Sequence, residues 1–143
     1  MPVDLKDPVI ALAVESSDFV QTLNQQNLKV TGLGGANYVL KIDDDETGSF
    51  TSEQLGRGIN LAILPTPMTK QASQVHKLTL HHNNLHFQRW RQVQVPLEKN
   101  ESARVQKAVK DLMTAIDDEE AEIVKQQRSA AQPTRHQFSL IPK

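Results

Sequence analysis

The stretch Leu78-Thr-Leu-His-His-Asn-Asn-Leu-His-Phe-Gln-Arg-Trp-Arg-Gln-Val-Gln94 decides how this chain is read. At about 100° per residue, counted from Met68, it forms a helix with Met68, Ala72, Val75, Thr79, His82, His86, Trp90 and Val93 in one stripe. Leu78 and Leu85 flank that stripe on one side, Leu80 and Phe87 on the other. Lys70, Lys77, His81, Asn84, Gln88 and Arg91 are left for water. Helices at a protein surface carry a narrower apolar stripe, so a helix apolar on three sides belongs inside a larger assembly. His86 and Trp90, near the centre of the stripe, are expected to be buried, with His86 hydrogen-bonded.

Outward from this helix, Thr66-Pro67 supplies an N-cap and a first-turn proline. Pro96 is expected to break the helix after Val93, and Asn100 to cap a second one. The second helix has a single apolar stripe of Val105, Val109, Leu112, Ile116 and Ile123, interrupted at Glu119-Glu120. Upstream, Leu28–Leu33 and Tyr38–Ile42 alternate as strands do, with Tyr38, Leu40 and Ile42 on one face. The polar loop Asp43–Gly48 and a short strand at Ser49–Thr51 complete a hairpin, and Ser52 caps one helical turn. Residues 1–15, with two prolines, read as an extended lead-in, and Ser16 or Ser17 as the cap of a short helix. The expected fold class is α+β: a small antiparallel sheet followed by two long C-terminal helices. The expected segments are 1–64 (lead-in, short helix and sheet), 65–127 (two helices packing on the sheet) and 128–143 (a polar tail with an apolar patch at Phe138, Leu140 and Ile141).

Composition narrows the function. The chain has 143 residues, 38% apolar and 23% charged, with 16 Lys+Arg against 17 Asp+Glu. That balance gives sequence-independent nucleic-acid binding no electrostatic support. With no cysteine, disulfides, thiolate zinc sites and thiol nucleophiles are excluded. The apolar run Val9–Val14 is too short to span a bilayer, and residues 1–6 lack the pattern of a signal peptide. Neither a nucleic-acid nor a membrane partner is expected, and no internal repeat is visible.

The phrases VTGL, YVLKIDDDETGSF, GINLAI, TPMTKQA, LTLHHNNLHFQRWRQVQVPL and AQPTRHQFSLIP, in that order, resemble the C-terminal region of bacterial GDSL/SGNH hydrolases over residues 19–143. The resemblance implies ester hydrolysis by a Ser–His–Asp arrangement on a flavodoxin-like α/β core. The family's nucleophile lies in a Gly-Asp-Ser block, and its Asp and His in an Asp-x-x-His block; neither block occurs in this sequence. The oxyanion-hole Gly and Asn belong to the absent half as well. No catalytic residue is therefore carried over. What the resemblance implies for this chain is a non-catalytic portion covering a hydrolase core, in cis or in trans. The competing reading is a stand-alone interaction module that self-associates or binds a partner through its apolar helix faces.

Other constellations have simpler accounts. His82 and His86, one turn apart, are the candidate zinc ligands, but no H-E-x-x-H glutamate or third ligand accompanies them. Arg89-Trp90-Arg91 reads as a tryptophan packed under arginine stems, or as arginines paired to carboxylates of a neighbouring helix, rather than a nucleic-acid patch. Asp43–Glu46 departs from the EF-hand pattern and reads as a solvated loop, and Asp117–Glu120 as a charged helix face. Gly32–Gly35 opens no helix, so it is no phosphate cradle, and Ser16, Ser17 and Ser73 sit in no nucleophile elbow. No cofactor or metal is expected.

Overall fold

The computed structural model describes Val3 and residues 5–143. Helix α1 spans Pro8–Glu15, α2 Phe19–Thr22, strand β1 Asn27–Leu28, β2 Asn37–Ile42, β3 Asp45–Thr51, α3 Ser52–Arg57 and β4 Ile59–Asn60. Then come α4 at Pro67–Phe87, a π-helical segment at Gln88–Gln94, α5 at Val95–Leu97, α6 at Ala103–Ala130 and β5 at Phe138–Pro142. The fold is α+β, with small antiparallel sheets and two long C-terminal helices. Two compact units are distinguished: residues up to Ser73 together with Pro133–Lys143, and Gln74–Gln132.

The first unit is built on β2, the centre of a three-stranded antiparallel sheet ordered β3-β2-β5. Its alternation puts Tyr38, Leu40 and Ile42 on the buried face, as the pattern of the sequence predicts. Leu40 and Ile42 are fully enclosed and cluster with Leu61, against which Leu28, Phe50, Ile59, Leu64, Met68 and Leu140 pack. The β2–β3 connection is the two residues Asp43-Asp44, shorter than the expected loop, with Asp43 at φ 56°. Thr47 is the extra residue of a bulge, because Leu40 pairs with Gly48 but Lys41 with Glu46. Gly48 lies inside this strand, where a Cβ would approach the Phe50 ring to 3.1 Å.

Caps explain the neighbouring turns. Thr51, one residue before the expected Ser52, makes a reciprocal capping box with Gln54. Gly58 ends α3 at φ 110°, a conformation open only to glycine without strain. The strand expected at Leu28–Leu33 is reduced to β1, paired with β4. The lead-in is helical rather than extended from Pro8 to Glu15: the Asp7 carboxylate accepts the Val9 and Ile10 N–H groups, and Pro8 starts α1, while Met1, Pro2 and Asp4 lie outside the described residues. The tail is not simply polar, since its apolar patch pairs as β5, with Leu140 opposite Leu40 and Ile141 opposite Val39.

In the second unit α4 and α6 run antiparallel. The half-buried line on α4 is Val75, Leu78, Thr79, His82 and Leu85, continued by Arg89 of the π-helical segment, and on α6 it is Val105, Val109, Met113, Ile116, Glu120, Ile123 and Gln127. Met113 takes the place expected for Leu112, and Glu120 fills the gap in the stripe. Ile123, 4% exposed, is the one fully buried apolar side chain of this unit among the described residues. The α4 phase is thus rotated from the expected one. Leu78 and Leu85 face α6, His86 lies exposed at the edge of that contact, within reach of Glu120, and Trp90 turns outward, 48% exposed. Pro96, which has no N–H to give, stands in the first turn of α5 instead of ending the helix at Val93. The π turn before it adds a residue, marked by the Val95 N–H bonding to the Trp90 carbonyl. Asn100 accepts the Ser102 N–H just ahead of α6, and Ser102 is the N-cap residue.

Candidate functional site

Two arrangements of polar side chains stand out, one in each unit. In the helical unit a ladder joins α4 to α6. Gln127 Nε2 donates to Thr79 Oγ1 at 2.5 Å, and His86 Nδ1 lies 3.2 Å from Glu120 Oε1. Arg89 donates twice to Asp117, at 2.5 Å from Nε and 3.0 Å from Nη2. The fork geometry of guanidinium and carboxylate accounts for the pairing. Its hydrogen bonds hold Asp117 below the usual carboxylate range and push Arg89 up. His86 is therefore hydrogen-bonded, as the sequence suggests, although exposed rather than buried. Its ring stacks on His82 with centroids 6.4 Å apart. Among the described residues no group of three or more His, Cys, Asp or Glu side chains is placed to hold a metal. Of the stacked pair His82/His86, His86 is the one bonded into the ladder, through Glu120.

At the loop end of the helices, the Arg89–Asp117 pair, Gln94, Leu97, Val109 and Met113 line an open groove of about 340 Å³. Leu97, Val109 and Met113 provide its apolar lining, and the ion pair is part of its polar lining. Arg91, next to Trp90, places its guanidinium 4.6 Å from the ring centroid. The expected packing of tryptophan with an arginine is present, but on the outside of the helix.

In the sheet unit, Thr134 Oγ1 lies 3.0 Å from His136 Nε2, and His136 Nδ1 lies 2.8 Å from Asp43 Oδ2. In a neutral imidazole an ionised Asp43 favours the Nδ1–H tautomer, in which Nε2 accepts from the threonine hydroxyl. This is the connectivity of a hydroxyl–imidazole–carboxylate relay. Its position favours another role. Asp43 also accepts the Gln137 N–H at 2.9 Å, while its own N–H donates to the Gln137 carbonyl at 2.8 Å. Three of these bonds staple the start of β5 onto the β2–β3 turn, and the Thr134–His136 contact steadies the imidazole from its own segment's side. The Gln137 N–H, then His136, hold the Asp43 carboxyl below its ordinary value. Ninety-three residues separate the two partners, and periodicity carries no signal at that range. The alternation of Phe138, Leu140 and Pro142 after Pro133 was the available hint of a strand there.

Asp44 completes the turn after Asp43, and Asp45 pairs with Lys70 at 2.5 Å. No family model matches the chain, and no curated protein matches it either. A solved structure, described as a gut microbial diltiazem-metabolizing enzyme, superimposes with a TM-score of 0.69 at 24% identity. The match covers 94% of this chain and 37% of that one. The likeness is one of fold, and the chain spans little more than a third of that enzyme's length. No helix among the described residues is long and apolar enough to cross a membrane.

Proposed function

We propose that this chain is the non-catalytic C-terminal portion of a GDSL/SGNH-type ester hydrolase, covering the catalytic core. The observation that carries the reading is the fold match, which takes in nearly all of this chain but a minor share of a longer enzyme. The resemblance of residues 19–143 to the family's C-terminal region supports it from the sequence side. The distribution of apolar surface supports it too. Helix α1 has no buried residue, and α4 leaves Leu80 and Phe87 49% and 54% exposed. Surface of that kind is covered in a larger protein. Self-association through the same faces is the second reading, favoured by the same exposed side chains.

The test uses short acyl esters. The chain alone is expected to show the buffer rate. Hydrolysis is expected once it is combined with a polypeptide carrying the Gly-Asp-Ser and Asp-x-x-His blocks, encoded immediately upstream. Turnover by the purified chain itself, abolished by Thr134→Ala or by loss of one of its own serines, would overturn the non-catalytic role. A core polypeptide that is fully active and stable without the chain would overturn the covering role.

A further inference from the structure

The outward side of α4 has a definite chemistry. Leu80 and Phe87, two turns apart, lie along the side of the helix opposite the line facing α6. Lys77 stands one turn before Leu80, and Arg91 one turn after Phe87, over the half-exposed ring of Trp90. From Gln74 to Leu97 the chain contains no Asp or Glu. Arg89 is matched by Asp117, and His81 and His86 face Glu119 and Glu120 across the helix pair. Lys77 and Arg91 are the fixed charges of this segment that no salt bridge from α6 neutralises.

We infer that this face of α4, Leu80, Phe87 and Trp90 between Lys77 and Arg91, docks on a surface of the catalytic core that is apolar at its centre and rimmed by carboxylates. The inference rests on the accessory reading above and names the seat. Two observations choose this occupant over a second copy of the chain. The charges on the face are of one sign, so pairing two such faces brings Lys77 and Arg91 toward like charges, which costs free energy. A partner rimmed with carboxylates reverses that sign. The longer chain of the matching enzyme also has room for such a partner, since 37% of it is accounted for here. An apolar centre with a charged rim is the ordinary anatomy of a protein interface.

Trp90 is the single tryptophan of the chain, so its emission reports on this face. The full chain is titrated with an amphipathic helical peptide of leucine and glutamate, and with its leucine–lysine counterpart. Phosphatidylglycerol vesicles form a third arm, and sedimentation of the chain alone a fourth. The acidic peptide is expected to shift Trp90 emission to the blue. Raising salt from about 50 mM to about 500 mM should weaken its binding at least several-fold, because the rim charges are screened. The double variant Leu80→Ser/Phe87→Ser, which keeps the reporter, should lose the shift while helix content is unchanged. An equal response to the basic peptide, a shift from vesicles only, tight self-association of the chain alone, or no response in any arm would each overturn the inference. If peptide binding fails while hydrolysis in trans succeeds, the face is wrong and the accessory role stands. If the peptide binds and hydrolysis in trans fails, the face stands without that role.

Discussion

Replacing Ile123 by alanine removes the side chain most completely enclosed between α4 and α6. Cutting a buried isoleucine to alanine costs about 2–5 kcal/mol, from lost transfer free energy plus the cavity left behind. A mid-range loss of about 3 kcal/mol lowers the folding constant by roughly a hundredfold. With a urea m-value of about 1.5 kcal/mol/M, the midpoint falls by roughly 2 M. The assay is urea unfolding followed by far-UV circular dichroism, with Leu112→Ala as the internal control. Leu112 is 48% exposed and hands its expected place to Met113. Its truncation should cost under about 1 kcal/mol. Equal losses for the two variants, or an Ile123→Ala midpoint within experimental error of the parent, would refute the register assigned to the helix pair. The same comparison separates the observed phase of α6 from the one its sequence suggests, because that phase puts both residues on the buried stripe.

The sheet unit gives further tests. Thr51→Ala should cost about 1 kcal/mol, by opening the capping box with Gln54; thermal unfolding checks it, and an unchanged midpoint would show that the box adds nothing. Gly58→Ala should cost on the order of 1–3 kcal/mol from backbone strain alone, because its φ is 110° and the nearest atom to an added Cβ is 3.9 Å away. Gly34→Ala, at ordinary φ with nothing within 4 Å, should be neutral or slightly stabilising; both are read from the same melts. The Asp43 carboxyl, held below its ordinary 3.8 by Gln137 and His136, contributes stability that is fully present above that value. The contribution is lost as pH falls from there through the lower folded pKa, because the unfolded state takes up the proton first. Asp43→Asn should therefore flatten the acid limb of stability against pH, and an unchanged limb would assign it to other carboxylates.

How much of this was legible in the sequence depends on the range of the interaction. Thr66-Pro67 opens α4 as read, with the Thr66 hydroxyl accepting the Thr69 N–H, because capping is settled within four residues. Tyr38, Leu40 and Ile42 share a face as read, because a period of two fixes the side of a strand. The Asp7-Pro8 pair carries the same kind of local signal for α1, one that the extended reading of the two prolines passes over. The phase of α4 was not legible for a different reason. A helix apolar on three sides offers several stripes of similar quality, and its threonines, histidines and asparagines do not rank them. The choice falls to the partner: α6 brings Ile123 and Ile116 to pack, and Glu120, Asp117 and Gln127 to meet His86, Arg89 and Thr79. That line runs through Leu78 and Leu85, and the π turn then shifts its continuation by one residue to Val93, Gln94 and Leu97. The stripe rejected by α6 does not become polar by being rejected. Leu80, Phe87 and Trp90 remain on the other sides of the same helix, each about half exposed, and an apolar pattern that wide gives a helical wheel several equivalent solutions.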